Sequence, residues 1–224
     1  MSSVLLLGAT GLVGQAALQE LLASGHWDQV RVLARRPAPF AHPRLQWVEH
    51  DLRPETPLPE SFLAVDCALC CLGTTLRDAG SRAAFRAVDH DLIVRLACAI
   101  RAAGTPDWLM VSSSNASANS MFFYPRVKAE TEAAVRALAW SSLVLARPSL
   151  LLGERSQRRT GEAVAGRLMG AIEPLLGART PSWRAIKADC VGQALAVAAA
   201  RRQPGEDILY YRQLTELAAC SVTK

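Results

Sequence analysis

An apolar run, Val4 to Leu7, passes at once into Gly8-Ala9-Thr10-Gly11-Leu12-Val13-Gly14 and then into a helix-forming stretch. Few short patterns restrict a chain so strongly. Gly8 permits a tight turn out of the strand, Gly11 lets the backbone approach a pyrophosphate, and Gly14 lets the helix lie against the strand. The first turn of that helix offers unpaired N–H groups to phosphate oxygens. No Gly-Lys-Ser/Thr follows, so the loop is not that of a nucleoside triphosphatase. The candidate dinucleotide contacts are therefore Gly8, Ala9, Thr10, Gly11, Leu12, Val13 and Gly14.

The rest of the chain repeats the strand-then-helix rhythm. After the helix over Leu12–Ser24 come strands at Val30–Ala34, Leu45–Glu49 and Val65–Leu72, and a long helix from Ser81 to Ala103 closed by Gly104. Trp108–Ser113 is a fifth strand, Pro125–Trp140 a helix opened by proline, and Leu143–Ala146 a sixth strand. Beyond Ser149 the expected elements are a basic loop at Arg155–Thr160, helices over Glu162–Ile172 and Asp189–Arg202, and a last short strand at Asp207–Tyr211. Such alternation implies a doubly wound parallel α/β sheet of Rossmann type, with helices on both faces. At 224 residues the chain reads as a single domain, with a dinucleotide-binding core over 1–148 and a small C-terminal lobe with the last strand over 149–224.

Composition narrows the function classes. Half the residues are apolar and 20% charged, which excludes intrinsic disorder. The net charge is +5, and Lys128, Lys187 and Lys224 are the only lysines. The arginines that carry the rest of the positive charge are scattered in short pairs rather than gathered in a stripe, so no nucleic-acid partner is expected. Six cysteines lie mostly in apolar runs and read as reduced thiols. His26, His42, His50 and His90 lack metal-ligand spacing, and no metal is expected. The stretch Val4–Leu22 has no basic residue before it and carries Gln15, Gln19 and Glu20 on a helical face, so neither a signal peptide nor a membrane span is expected. A cytoplasmic location is the simplest expectation from those features.

Where an NAD-selective site places a carboxylate after the second strand, this chain reads Val32-Leu33-Ala34-Arg35-Arg36. Two guanidinium groups suit the 2′-phosphate of NADP(H), because they form charge-assisted bonds to it. Asp51, after the third strand, is placed to accept from an adenine amino group or, equally, to cap its own loop.

Tyr124 and Lys128 stand one helical turn apart in a chain with only three tyrosines and three lysines. Reduction of a carbonyl by hydride leaves an alkoxide that needs a proton. A phenol becomes a better acid and base near neutrality when an ammonium stabilises its phenolate. Tyr124 is thus the candidate acid/base, and Lys128 the candidate modulator and ribose anchor. Ser113, with Ser112 and Ser114 as alternatives at the same strand end, is the candidate donor to the substrate oxygen.

These residues resemble the atypical short-chain dehydrogenases/reductases, and more narrowly the chain is similar to the Tat-interacting-protein oxidoreductases. The likeness rests on Gly8 to Gly14, Arg35-Arg36, Cys70-Cys71-Leu72-Gly73-Thr74-Thr75, Ala79-Gly80, Val88-Asp89, Ser112-Ser113, Tyr124-x-x-x-Lys128-x-Glu130, Arg147-Pro148 and Arg159-x-Gly161-Glu162. The resemblance implies that Leu72 and Gly73 border the cofactor and that Leu151 and Arg159 approach it from the C-terminal side. It departs from many extended members at Asp89, where they carry asparagine. It also lacks an amino-terminal extension and a long substrate domain, so regulatory partners of the eukaryotic branch and nucleotide-sugar epimerisation are not expected.

The expected function is hydride transfer between NADP(H) and a small carbonyl or alcohol substrate. The alternative is a non-catalytic NADPH-binding sensor. Helices flanking such a sheet could also form a homodimer face.

Overall fold

The computed structural model describes residues 1–153 and 184–221. Its centre is a seven-stranded, all-parallel sheet in the order β3-β2-β1-β4-β5-β6-β9. The strands are β1 (Ser3–Leu7), β2 (Gln29–Ala34), β3 (Leu45–Glu49), β4 (Cys67–Cys70), β5 (Asp107–Val111), β6 (Ser142–Ala146) and β9 (Gly205–Leu209). A separate two-stranded pair joins β7 (Leu151–Leu152) to β8 (Ile186–Lys187). This is the doubly wound, Rossmann-like architecture. The chain order reverses between β1 and β4, where such sheets open a ligand crevice at the carboxyl ends of the strands.

Strand side chains alternate between two cores, as the period of two requires. Val4 and Leu6 of β1, Cys67 and Leu69 of β4, and Leu109 of β5 join one cluster; Leu5, Leu7, Ala68, Cys70, Trp108 and Met110 join the other. The Cys67 and Cys70 thiols therefore point to opposite faces of the sheet. All described cysteines are free.

On the first face lie α1 (Leu12–Ala23), α7 (Ala188–Arg201) and α8 (Tyr211–Ser221). Gly192 lets α7 come close to α1: a Cβ there would stand 2.5 Å from the Val13 carbonyl oxygen. The last strand lies at Gly205–Leu209, two residues earlier than expected at each end, and it extends the main sheet beside β6. Helix α8 is not among the elements expected from the sequence, although Leu214, Leu217 and Ala218 give it a buried stripe. The expected loop at Arg155–Thr160 and helix at Glu162–Ile172 lie outside the described residues.

The second face carries the elements that build the site. The expected long helix over Ser81–Ala103 is instead α4 (Arg82–Arg86), a π-helical segment at Ala87–Leu92 and α5 (Ile93–Ala102). The Ser81 hydroxyl caps its start by accepting from the Ala84 amide at 3.1 Å. Short helices α2 (Glu60–Leu63) and α3 (Leu76–Ala79) flank it. Helix α6 spans Phe123–Arg136, ending four residues before the expected Trp140. Trp140 turns back so that its indole N–H donates to the Val135 carbonyl at 2.9 Å and its ring stacks on buried Trp108, 5.2 Å between centroids.

Candidate functional site

The glycine loop is shaped by contacts that no side chain could share. Gly8 has φ of 80°, and a Cβ on it would lie 2.6 Å from the Cys71 carbonyl carbon. At Gly14 a Cβ would lie 2.1 Å from the Gly8 carbonyl oxygen. The Gly11 amide closes the turn by donating to that same oxygen at 3.0 Å. Gly11 is also the N-cap of α1 and has no side chain to occupy the first-turn amides. The cradle fits a pyrophosphate, because the first-turn amides of α1 have no side-chain cap.

Arg36 reaches over this loop, its Nη2 donating to the Thr10 hydroxyl at 3.2 Å, while its carbonyl accepts from the Trp47 indole at 2.8 Å. Arg35 and Arg36 are both exposed. Asp51 behaves differently. Its two oxygens accept from the Arg53 amide and the Thr56 hydroxyl, each at 3.0 Å, so the carboxylate caps its own loop.

At the other side of the crevice Tyr124 and Lys128 stand in the first two turns of α6. The Tyr124 ring packs 5.5 Å from that of buried Phe85. Lys128 is 5% exposed, which is rare for lysine, and its Nζ is 2.7 Å from Asp89 Oδ1. Burial pulls the ammonium's pKa down, but the Asp89 carboxylate, with help from Tyr124, outweighs it and the net shift is upward. Asp89 is itself 1% exposed and sits inside the π-helical segment. Its second oxygen accepts from the Thr74 amide at 2.8 Å, and its backbone carbonyl accepts from the Thr131 hydroxyl at 2.8 Å. Gly73 lies against this pair: a Cβ there would be 3.4 Å from Asp89 Oδ1 and 3.8 Å from Lys128 Nζ. Glycine leaves the space beside the ammonium free of a side chain.

The serines at the end of β5 divide. Ser112 was expected as one of three hydroxyls facing the cofactor, but its Oγ donates to Glu132 Oε1 at 2.5 Å inside the protein. The Ser112 hydroxyl is thus committed to Glu132. Ser113 Oγ accepts only a long bond, 3.4 Å, from the Asn115 amide. Glu132, wholly buried, also receives Arg147 through two nitrogens, at 2.9 and 2.5 Å. Burial pushes its carboxyl up, but the bonds from Arg147 and Ser112 and the charges of Arg147 and Arg136 carry it below the ordinary carboxylate range.

A family profile described as NAD(P)H-binding matches residues 8–163, more than half the chain. The HTATIP2 protein of Rattus norvegicus is 34% identical over 173 residues, which is 76% of this chain and 71% of that one. The protein belongs to the NAD(P)H-binding atypical short-chain dehydrogenases/reductases of the HTATIP2 type. Another member of this similarity group, fmp52 of Emericella nidulans, is 33% identical over 219 residues, covering 92% of this chain and 91% of its own. Among solved structures, MoeE5 in complex with UDP-glucose and NAD superposes with a TM-score of 0.67 at 19% identity, over 99% of this chain and 82% of that one. That likeness concerns the fold.

The comparison corrects one expectation. The fmp52 relatives from Emericella nidulans, Aspergillus niger and Coccidioides immitis are named mitochondrial, which overturns a cytoplasmic assignment drawn from the lack of a signal-like amino terminus. Among the described residues, no helix is long and apolar enough to cross a membrane.

The chain after β7 approaches the glycine loop. Gly153, just after β7, abuts the nucleotide loop, since a Cβ there would lie 2.6 Å from Leu12 Cδ1; this brings the chain after Leu151 against that loop. Arg159 lies outside the described residues. Asp89 stood out from the sequence only as a departure from a family pattern. Its signal was nonetheless present: at i+4 from Phe85 and i−4 from Ile93, a carboxylate falls on the apolar face of a helix and needs a buried partner.

Proposed function

We propose that this protein is an NADP(H)-dependent oxidoreductase that interconverts a small carbonyl compound and its alcohol. The observation that carries the reading is the buried Lys128 ammonium, one turn from Tyr124 and open to the crevice at Gly73. A lysine held in its charged form beside a phenol is the arrangement that proton transfer to an alkoxide needs. The nicotinamide, when bound, supplies or accepts the hydride. Tyr124 delivers the proton to the substrate oxygen or removes it, and Lys128 stabilises the phenolate that results. Ser113, whose hydroxyl is the least committed of the strand-end pair with Ser112, donates to the same oxygen. Gly8 to Gly14 hold the pyrophosphate, Leu72 and Gly73 border the nicotinamide half, and Arg35 and Arg36 receive the 2′-phosphate. The position of Arg36 over Thr10 supports NADP(H) over NAD(H).

Tyr124→Phe keeps the ring packing on Phe85 and removes only the proton donor. Across a panel of aldehydes and ketones, it is expected to lower NADPH turnover by about 10²–10⁴-fold while leaving the dissociation constant for NADPH unchanged. Equal turnover by the variant and the parent would refute the acid/base assignment. Tight NADPH binding with no turnover by the parent on any carbonyl would favour a sensor.

A further inference from the structure

We propose that Trp47 is a positioning residue for cofactor choice: its indole N–H pins the main chain at Arg36 and so holds that guanidinium over the glycine loop, where a 2′-phosphate is received. The inference rests on the reading of Arg36 as a 2′-phosphate ligand and goes beyond it. Arg35 to Arg44 carry the chain from the carboxyl end of β2 back to the start of β3 in ten residues, with no helix between them. Parallel neighbours are ordinarily joined by a longer crossover, whose helix fixes its own main chain. Here the chain must be held from outside.

The two ends of this connection are held differently. Near β3 the Arg44 carbonyl accepts from the Val30 amide at 2.8 Å, and the His42 carbonyl accepts from the Leu45 amide at 2.9 Å. Near β2, among the described residues, the main chain from Arg35 to Ala41 makes one hydrogen bond, from Trp47 Nε1 to the Arg36 carbonyl at 2.8 Å. Trp47 is suited to give it. It pairs with Val32 in the parallel register of β2 and β3, and its ring packs against the cluster that contains Leu18 and Leu22 of α1. One residue is thus seated on the core and bonded to an exposed stretch of chain.

A hydrogen bond to the Arg36 carbonyl sets where the arginine side chain starts. From there Arg36 Nη2 reaches the Thr10 hydroxyl at 3.2 Å, so β3, the connection and the glycine loop are tied in series. An arginine side chain has many rotamers, and ordering it on binding costs affinity. Anchoring its main chain removes part of that cost before a ligand arrives. Only a dinucleotide that engages Arg36 gains from this. The expected signature is therefore a change in the preference between NADPH and NADH, not in dinucleotide binding as a whole.

The test is calorimetric titration of the full chain with NADPH and with NADH. Trp47→Phe keeps a ring on the core and removes the N–H donor. It should raise the dissociation constant for NADPH about threefold and leave that for NADH unchanged, the scale of one neutral hydrogen bond. In an Arg36→Ala background the same substitution should have no further effect on the preference. A merely structural role for Trp47 weakens both dinucleotides alike; that result would overturn the proposal, as would a selective loss that persists without the Arg36 guanidinium. If Arg36→Ala shifts the preference and Trp47→Phe does not, the positioning role fails while the 2′-phosphate reading stands. If Arg36→Ala does not shift it, both fail. Should Trp47→Phe not fold, the parent protein decides. Binding that draws on the Trp47–Arg36 bond must strengthen that bond in return. The Trp47 indole N–H, one of five in the chain, should then exchange with deuterium about threefold more slowly under saturating NADPH than under saturating NADH, and equal rates would refute the role.

Discussion

Lys128 and Glu132 stand one turn apart on α6, both buried and both charged, and they do opposite things. Glu132 is saturated: Ser112 donates to it, Arg147 grips it through two nitrogens, and Arg136 adds a contact at 3.3 Å. Arg147 in turn donates to the Tyr210 hydroxyl at 3.0 Å, so the network ties the end of β5, helix α6 and the ends of β6 and β9 together. Lys128 has three N–H donors and, among the described residues, one carboxylate partner, with exposed Gly73 beside its ammonium. A buried charge whose every bond is met holds a fold together. A buried charge with donors left over, beside a glycine, is available to a ligand. The contrast separates scaffold from site within four residues of sequence.

The largest effect expected from this contrast belongs to the saturated partner. Glu132→Ala leaves Arg147 without its carboxylate and should cost about 3–5 kcal/mol of stability in denaturant unfolding, the range for breaking a buried ion pair. The loss should depend on pH in a set direction. Because the folded protein holds the Glu132 carboxyl below its ordinary value of 4.5, its stabilisation is present above that pH and disappears as pH falls through the lower, folded value. Parent and variant should therefore converge in stability in acid. Equal spacing of the two curves down to strongly acidic pH would show that Glu132 does not act as a paired carboxylate.

Lys128→Met should give the converse profile. Loss of a charged donor to the ribose is expected to weaken NADPH binding by about 1.5–3 kcal/mol, roughly 10–100-fold by calorimetry, whereas folded Glu132→Ala should bind NADPH as the parent does. The comparison breaks if Lys128→Met binds NADPH normally. The smallest effect concerns a charge that is not buried at all. Arg36→Ala should weaken NADPH binding by about tenfold and leave NADH unaffected, the amount expected of one exposed charge-assisted contact. Equal weakening for both dinucleotides would remove Arg36 from 2′-phosphate recognition.

Much of the fold was legible because it is written in local patterns. Strand alternation, the three glycines and the helix punctuation at Ser81 and Gly104 each report on a few consecutive residues, and parallel pairing follows from the alternation of strand and helix. The site was legible in part. Tyr124 and Lys128 share a helix face, so their spacing alone brings them together. What the sequence left open turns on neighbouring groups. Ser112 and Ser113 are adjacent and chemically identical, and only the presence of Glu132 beneath β5 turns one inward. Asp51 accepts from Thr56 and the Arg53 amide, the loop-capping role that its position allowed. Helix α6 stops early because Trp140 finds Trp108, thirty-two positions back along the chain.

From the amino-acid order alone came the parallel sheet, the phosphate-binding turn and the tyrosine–lysine pair, since all three depend on residues close in sequence and on backbone rules that hold in any context. Only the tertiary structure decided the roles of the buried charges. Asp89 meets Lys128 from a different helical segment, and Glu132 meets Arg147 from the next strand. Removing a charge from water is costly enough that its partner must be present on folding, and which partner arrives is a matter of packing between elements that the chain order does not specify.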